Sequence, residues 1–198
     1  QILLGAGTKN DNVSCGTVYS SPTPITNCSA SFRDKDGATE ALPLVLRANP
    51  SNTSAVVIDS NHILGGNQSE RAGIFLAELG GKRPDHIHIR NIELQNVFCR
   101  GFYDYDHPSG QQDWDSGTGI SNIIIEGCTV SHVGGGDNDS GIGIWSGKDC
   151  IFRNNYIYDI YGKGTPTRGA SGIQSYGHSN VLIENNFIEE GVNSTNGM

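Results

Sequence analysis

The chain is poor in charge and in apolar side chains. Of 198 residues, 17% are charged, 35% are hydrophobic and 8% are aromatic. Both of the first two shares are low for a globular chain. Disorder gives such a bias too, but a disordered chain also lacks regular apolar spacing, and the spacing here is regular. Basic residues are the scarcer charge, 13 against 21 acidic, for a net charge of −8. They are scattered rather than gathered in a stripe, which excludes the usual footprint of a nucleic-acid partner. No apolar run approaches the length of a membrane span. No Cys-x-x-Cys pair points to a metal site. Asn-Gly and Asp-Gly hairpin signals are nearly absent, which speaks against antiparallel β-architectures. No signal peptide is visible. Gln1 is not an initiator, and neither end resembles the cap of a solenoid, so an incomplete helix is expected.

What the chain has is glycine (27 residues), asparagine and serine, and a repeat. The segments Val56–Ile63, Ile87–Leu94, Ile123–Val130, Cys150–Ile157 and Val181–Ile188 align without gaps, at intervals of 31, 36, 27 and 31 residues. Positions 1, 3 and 8 of each are apolar, and a charged residue usually stands at position 4. Alternation of this kind marks half-buried strands. Position 6 holds Asn61, Ile92, Cys128, Asn155 and Asn186. An inward Asn at a repeated bend can bond its counterparts in the coils above and below, sparing buried amides about 1–3 kcal/mol each. These residues resemble the asparagine ladder of parallel β-helices.

A second strand precedes each copy: Leu44–Arg47, Ile74–Ala77, Phe102–Tyr105, Ile142–Trp145 and Ile173–Tyr176, with Gly before the last four. A third follows the bend, as at Ile157–Ile160. The expected fold is therefore all-β, a right-handed parallel β-helix with three strands per coil and coils about 4.8 Å apart. Residues 1–198 read as one domain. Within it, 1–43 form an N-terminal strand and a disulfide-containing loop, and 44–198 form about five coils.

Alternation along the second strand sends Val45, Phe75, Tyr103, Gly143 and Gln174 outward, and likewise Arg47, Ala77, Tyr105, Trp145 and Tyr176. Tyr103, Tyr105, Trp145, Gln174 and Tyr176 are thus candidate substrate-binding residues, since aromatic faces with polar tips suit sugar rings. Variable loops beside this strand are where a site would be built. They offer two sets of reagents. The basic set is His107, Lys148, Lys163, Arg168 and His178, of which Lys148, His178, Arg168 and His107 are the catalytic candidates. β-Elimination of a uronic acid needs a base for the C5 proton and a cation to neutralise the carboxylate. The acidic set is Asp104, Asp106, Asp113, Asp115, Asp137 and Asp139. Of these, Asp106, Asp137 and Asp139 are candidate Ca²⁺ ligands, and Asp106 with Asp137 is a candidate hydrolytic pair.

The runs Ile2–Thr8, Leu44–Ala48 and Val56–Asp59 resemble the opening of β-helical polysaccharide lyases of the alginate lyase and chondroitinase B kind, within the pectate lyase-like superfamily. That resemblance implies a Lys/Arg base pair, and often Ca²⁺, at the groove of the first strand. The N-T-D, D-D and G-H-G motifs of polygalacturonase-type hydrolases are absent, and so is the D-P-H-E of mannuronan epimerases. The function expected is a secreted, carbohydrate-active protein cleaving an acidic polysaccharide by β-elimination. Two alternatives stay open. One is a glycoside hydrolase. The other is a non-catalytic adhesin, surface or filament glycoprotein or tailspike, which would self-associate. Cys15 and Cys28 form a candidate disulfide in a polar loop, while Cys99, Cys128 and Cys150 read as buried thiols. Sequons at Asn12, Asn27, Asn52, Asn67, Asn138 and Asn193 permit glycosylation.

Overall fold

The computed structural model describes residues 2–4, 7–10, 16–17, 28–33, 40–51, 55–60, 72–77, 84–104, 120–135, 139–161 and 170–189. For the strands before residue 40 and for Ala77 it describes the backbone alone. Every described strand lies in one of three parallel sheets. Sheet A stacks β1 (Ile2–Leu4), β5 (Leu44–Ala48), β8 (Asp85–Arg90), β11 (Ile120–Glu126), β15 (Ile151–Arg153) and β18 (Leu182–Glu184), with β14 (Gly147–Lys148) also paired to β11. Sheet B stacks β2 (Gly7–Asn10), β6 (Val56–Asp59), β9 (Glu93–Phe98), β12 (Thr129–Gly134), β16 (Tyr156–Tyr161) and β19 (Phe187–Glu189). Sheet C stacks β3 (Gly16–Thr17), β4 (Cys28–Arg33), β7 (Ala72–Ala77), β10 (Arg100–Asp104), β13 (Ser140–Ile144) and β17 (Ser171–Ser175). After β3 and β4, which follow each other in sheet C, the chain visits A, then B, then C, and returns to A one strand further on. That is a parallel β-helix with three strands per coil.

Alternation fixes which side chains fill the coil. Leu46, Ile89, Ile125 and Phe152 register on one another from sheet A. Leu94, Val130 and Ile157 do so from sheet B, and Ile74, Phe102 and Ile142 from sheet C. All are buried in one continuous core, each contributing about 1.5–3 kcal/mol. Ile183 registers on Phe152 yet is 48% exposed, because no described strand lies beyond β18. The glycines before the C strands have a packing cause. A Cβ on Gly73, Gly101, Gly141 or Gly172 would come within 2.6 Å of Leu94, Val130, Ile157 or Ile188 respectively.

The register corrects the sequence alignment in its first copy. Leu44–Arg47 pairs with Ile87–Arg90 and belongs to sheet A, so Val45 and Arg47 are not on the sheet C face. Val56–Asp59 pairs with β9 and belongs to sheet B. The cause is that sheets A and B alternate alike, so a strand of one imitates the other. With this register the position-6 slot of that coil falls on Val56, which is 1% exposed, and Asn61 lies outside the described residues.

Corners repeat as faithfully as strands. The A-to-B corner carries a left-handed residue in each of four coils, at Asn91, Gly127, Asn154 and Asn185. The C-to-A corner does the same at His86, Asn122, Asp149 and Asn180. Gly, Asn and Asp reach this conformation at the least steric cost. The ladder follows the first corner. Asn155 Nδ2 donates to Ile125 O (3.0 Å) and to Asn186 Oδ1 (2.9 Å), and Asn155 Oδ1 accepts from Cys128 N (3.0 Å). Asn186 Nδ2 continues it to Phe152 O (2.8 Å). Below Asn155 the slot turns to thiol and then to apolar, in Cys128 and Ile92, both buried.

Candidate functional site

Sheet C faces outward with aromatic side chains, as its alternation predicts. Phe75 and Tyr103 pair in register, and Tyr103 pairs with Gly143 and Gly143 with Gln174. The rings form a continuous column. Phe75 to Tyr103 is 5.8 Å between centroids, Tyr103 to Trp145 is 6.3 Å edge-on, and Trp145 to Tyr176 is 5.3 Å. Exposure rises along it: Tyr103 is 1% exposed, Trp145 is half-buried and Tyr176 is 40% exposed. The open end of the column is therefore Trp145 and Tyr176. Tyr176 is steadied there by Gln174, whose Nε2 donates to the phenolic oxygen at 2.8 Å.

Two charged residues build this face: Arg100, which the sequence reading passed over, and Asp104, which it counted among the loop carboxylates. Arg100 starts β10 and is 5% exposed. Its guanidinium lies 4.1 Å from the Tyr103 ring centroid and 5.9 Å from that of Trp145, a cation–π arrangement of about 2 kcal/mol when desolvated. Gly143 lies beside it, and its missing side chain is required by Ser140. A Cβ there would meet Ser140 Oγ at 2.5 Å and stand 3.4 Å from Arg100 Cδ and 3.5 Å from Tyr103 Cδ2. Asp104 ends β10 at an inward register slot, level with Leu76 below, and is fully buried. Its carboxylate accepts from the backbone N–H of Trp145 and of Ser146, the latter at 3.0 Å. Asp104 thus fixes the turn that presents Trp145, and those donors offset the cost of burying it. The only advance signal was an acid where neighbouring coils carry Leu or Ile.

Lys148 and His178 follow Trp145 and Tyr176 at the C-to-A corner. Lys148 bridges to Ser179 of the next coil, so His178 stands one residue before its register partner. Both side chains are exposed. His178 Nδ1 lies 3.0 Å from Ser175 Oγ, which ties the ring to the end of β17. The fold thus brings together Lys148, His178, Trp145, Gln174 and Tyr176 at one edge, with Tyr103 buried beneath. His107, Arg168, Tyr105, Asp106 and Asp137 lie outside the described residues, as do Cys15 and all six sequon asparagines. Cys28 lies in β4, whose side chains are not described. Asp139, the remaining acid of the Ca²⁺ set, is fully buried. Among the described residues no group of three or more His, Cys, Asp or Glu is placed to hold a metal, and no helix is long and apolar enough to cross a membrane.

The thiols behave as the repeat predicts. Cys99, Cys128 and Cys150 are buried. Burial pushes the Cys128 and Cys150 thiols up to about 12, which makes them poor nucleophiles.

No family model matches the chain, and neither does any curated protein. Among solved structures, the chain aligns with a protein from Parabacteroides merdae ATCC 43184 that carries the provisional name glycosyl hydrolase. The identity is 12%, the TM-score is 0.31, and the match covers 94% of this chain and 78% of that one.

Proposed function

We propose that the protein is a secreted, carbohydrate-active β-helix that binds an acidic polysaccharide along sheet C and cleaves it by β-elimination. The observation that carries this reading is the column ending in Trp145 and Tyr176, with Lys148 and His178 at its edge. A pyranose ring laid against Trp145 and Tyr176 puts its substituents toward the corner. There Lys148 neutralises the uronate carboxylate, and the imidazole of His178 takes the C5 proton. The electron pair forms the C4=C5 double bond, the C4–O bond breaks, and the leaving oxygen takes up a proton. Arg100 and Tyr103 act from beneath by holding Trp145. Arg168 and His107 belong to the same basic set, and Ca²⁺ at Asp106, Asp137 and Asp139 is part of the proposal without a step assigned to it.

The test is to incubate the protein with alginate, pectate and glycosaminoglycans and to follow the absorbance of unsaturated product near the ultraviolet edge. Wild type is expected to produce it, and Lys148→Ala and His178→Ala to lose most of it. Full activity in both variants would overturn the assignment. Reducing ends without that absorbance would make the protein a hydrolase.

A second reading rests on the burial of Phe75 and Tyr103, each 2% exposed or less. A column sealed over half its length suits a structural or binding surface without chemistry, as in an adhesin or filament protein. That protein would bind glycans, or itself, and release no product.

A further inference from the structure

Sheet B changes character on its outer face between its lower and upper coils. Two outward columns run along it in register. One is Glu93, Thr129, Tyr156 and Phe187, and the other is Gln95, Ser131, Tyr158 and Glu189. The lower coils are polar. The upper two carry three rings and a carboxylate on neighbouring places of β16 and β19. Tyr156 and Tyr158 stack at 4.8 Å between centroids, with 27° between their planes, and Phe187 leans on Tyr156 at 5.5 Å and 50°. Tyr156 Oη donates to Glu189 Oε2 at 2.6 Å. His132 closes the group from the coil below, edge-on to Tyr158 at 5.8 Å.

The exposure of these rings has a different cause from that of the apolar residues beside them. Ile183 and Ile188 register on the buried Phe152 and Ile157, so they point inward and are open only because no described strand lies beyond them. Tyr156 has β12 on one side and β19 on the other, and is still 38% exposed. Its ring faces solvent by direction and not by position at an edge. Phe187 takes the next place in the same column and is 62% exposed, with Tyr156 against one side of it. A contiguous apolar patch with a polar rim marks a binding surface.

Charge selects the guest. The strands β6, β9, β12, β16 and β19 contain no Lys or Arg, and they carry Asp59, Glu93, Asp159 and Glu189. Such a face repels carboxylates and sulfates. Nor is it an open cation site, since Glu189 is bonded by Tyr156, and Asp159 Oδ2 lies 3.5 Å from His132 Nε2. We propose that Tyr156, Tyr158, Phe187 and Glu189 form a binding site for a neutral glycan on the outer face of sheet B. The apolar face of a pyranose packs on Phe187 and Tyr156, and its hydroxyls donate to the second oxygen of Glu189. The bond from Tyr156 to Glu189 holds both groups in place, and it raises the Tyr156 pKa above its ordinary value, which keeps the phenol protonated. The site lies on another face from the aromatic column of sheet C, takes a guest of different charge, and stands whether or not that column carries chemistry.

The experiment is affinity electrophoresis of the full chain through gels holding galactomannan, xyloglucan, laminarin or polygalacturonate. It compares wild type, Phe187→Ala, Glu189→Gln and Glu126→Gln, each checked by thermal unfolding. Phe187 and Glu189 are exposed, so both variants are expected to fold. Wild type is expected to be retarded by at least one of the three neutral polymers. Phe187→Ala should weaken that retardation about fivefold, in keeping with the loss of one aromatic contact. Glu189→Gln should weaken it about threefold through the poorer acceptor, and Glu126→Gln, on sheet A, should match wild type. Retardation by none of the neutral polymers, or equal retardation of wild type and Phe187→Ala, would overturn the proposal. So would a fall in polygalacturonate retardation as large as the fall in neutral retardation, because the site would then not select by charge. Sedimentation reads the remaining outcome. Self-association of wild type that Phe187→Ala abolishes, without retardation by any neutral polymer, would overturn the glycan site and assign the patch to a second copy of the chain.

Discussion

Sheets A and C are built on the same scaffold, with the same strand spacing and the same inward alternation, yet their outer faces solve different problems. On sheet A the outward column is charged, and Arg90, Glu126, Arg153 and Glu184 satisfy one another along the stack. On sheet C the outward column is aromatic. Its lower rings are sealed over a buried guanidinium, and its upper rings, Trp145 and Tyr176, are left open. The inward residues make the two sheets alike, and the outward residues make them different. Function is therefore to be sought in the positions that the repeat leaves free.

The comparison sharpens under substitution, beginning with the largest effect. Asp104→Asn replaces a carboxylate that accepts two backbone N–H groups by an amide that satisfies one and opposes the other. The expected loss is about 1–3 kcal/mol in chemical denaturation. Because the same turn presents Trp145, polysaccharide binding should fall with it; a variant that loses stability but binds as wild type would break the link between Asp104 and the column. Glu126→Gln on sheet A removes the acid between two arginines. Partly exposed pairs of this kind contribute about 0.5–1 kcal/mol, less at high salt, and sheet C binding should not change. A salt-independent loss, or one above about 2 kcal/mol, would mean that the ladder is worth more than surface pairs usually are.

The smallest effect is in the pH dependence. His88 has a folded pKa below its ordinary 6.5. As pH falls through about 6.5 the unfolded chain takes up a proton that the folded chain refuses, so stability is lost on acidification toward the folded pKa and is fully present above 6.5. His88→Gln is expected to flatten that slope between pH 7 and 5. An unchanged slope would place the titration elsewhere.

The fold was legible because winding imposes a period on the sequence. Ile125, Phe152, Asn155 and Asn186 read correctly from spacing alone. The register of the first copy did not, since Val56–Asp59 in sheet B shows the alternation of a sheet A strand, and only pairing tells them apart. The open end of the column was also legible, because the outward places of Trp145 and Tyr176 and the corner places of Lys148 and His178 follow from strand phase. Arg100 was missed, and Asp104 was read as a loop carboxylate rather than as the buried acceptor that it is. Arg100 stands at a strand start, where charge is ordinary. Asp104 occupies an inward slot, and its stabilising donors come from a turn about 40 residues away.

The central claim is that a sugar chain lies across Trp145 and Tyr176. The most direct test is binding and cleavage of acidic polysaccharides by wild type, Trp145→Ala and Glu126→Gln, with thermal unfolding to verify that each is folded. The account predicts that Trp145→Ala weakens binding about tenfold or more, in keeping with aromatic contacts of about 1.5 kcal/mol, and that Glu126→Gln matches wild type. A folded Trp145→Ala that binds and cleaves as wild type does would contradict it.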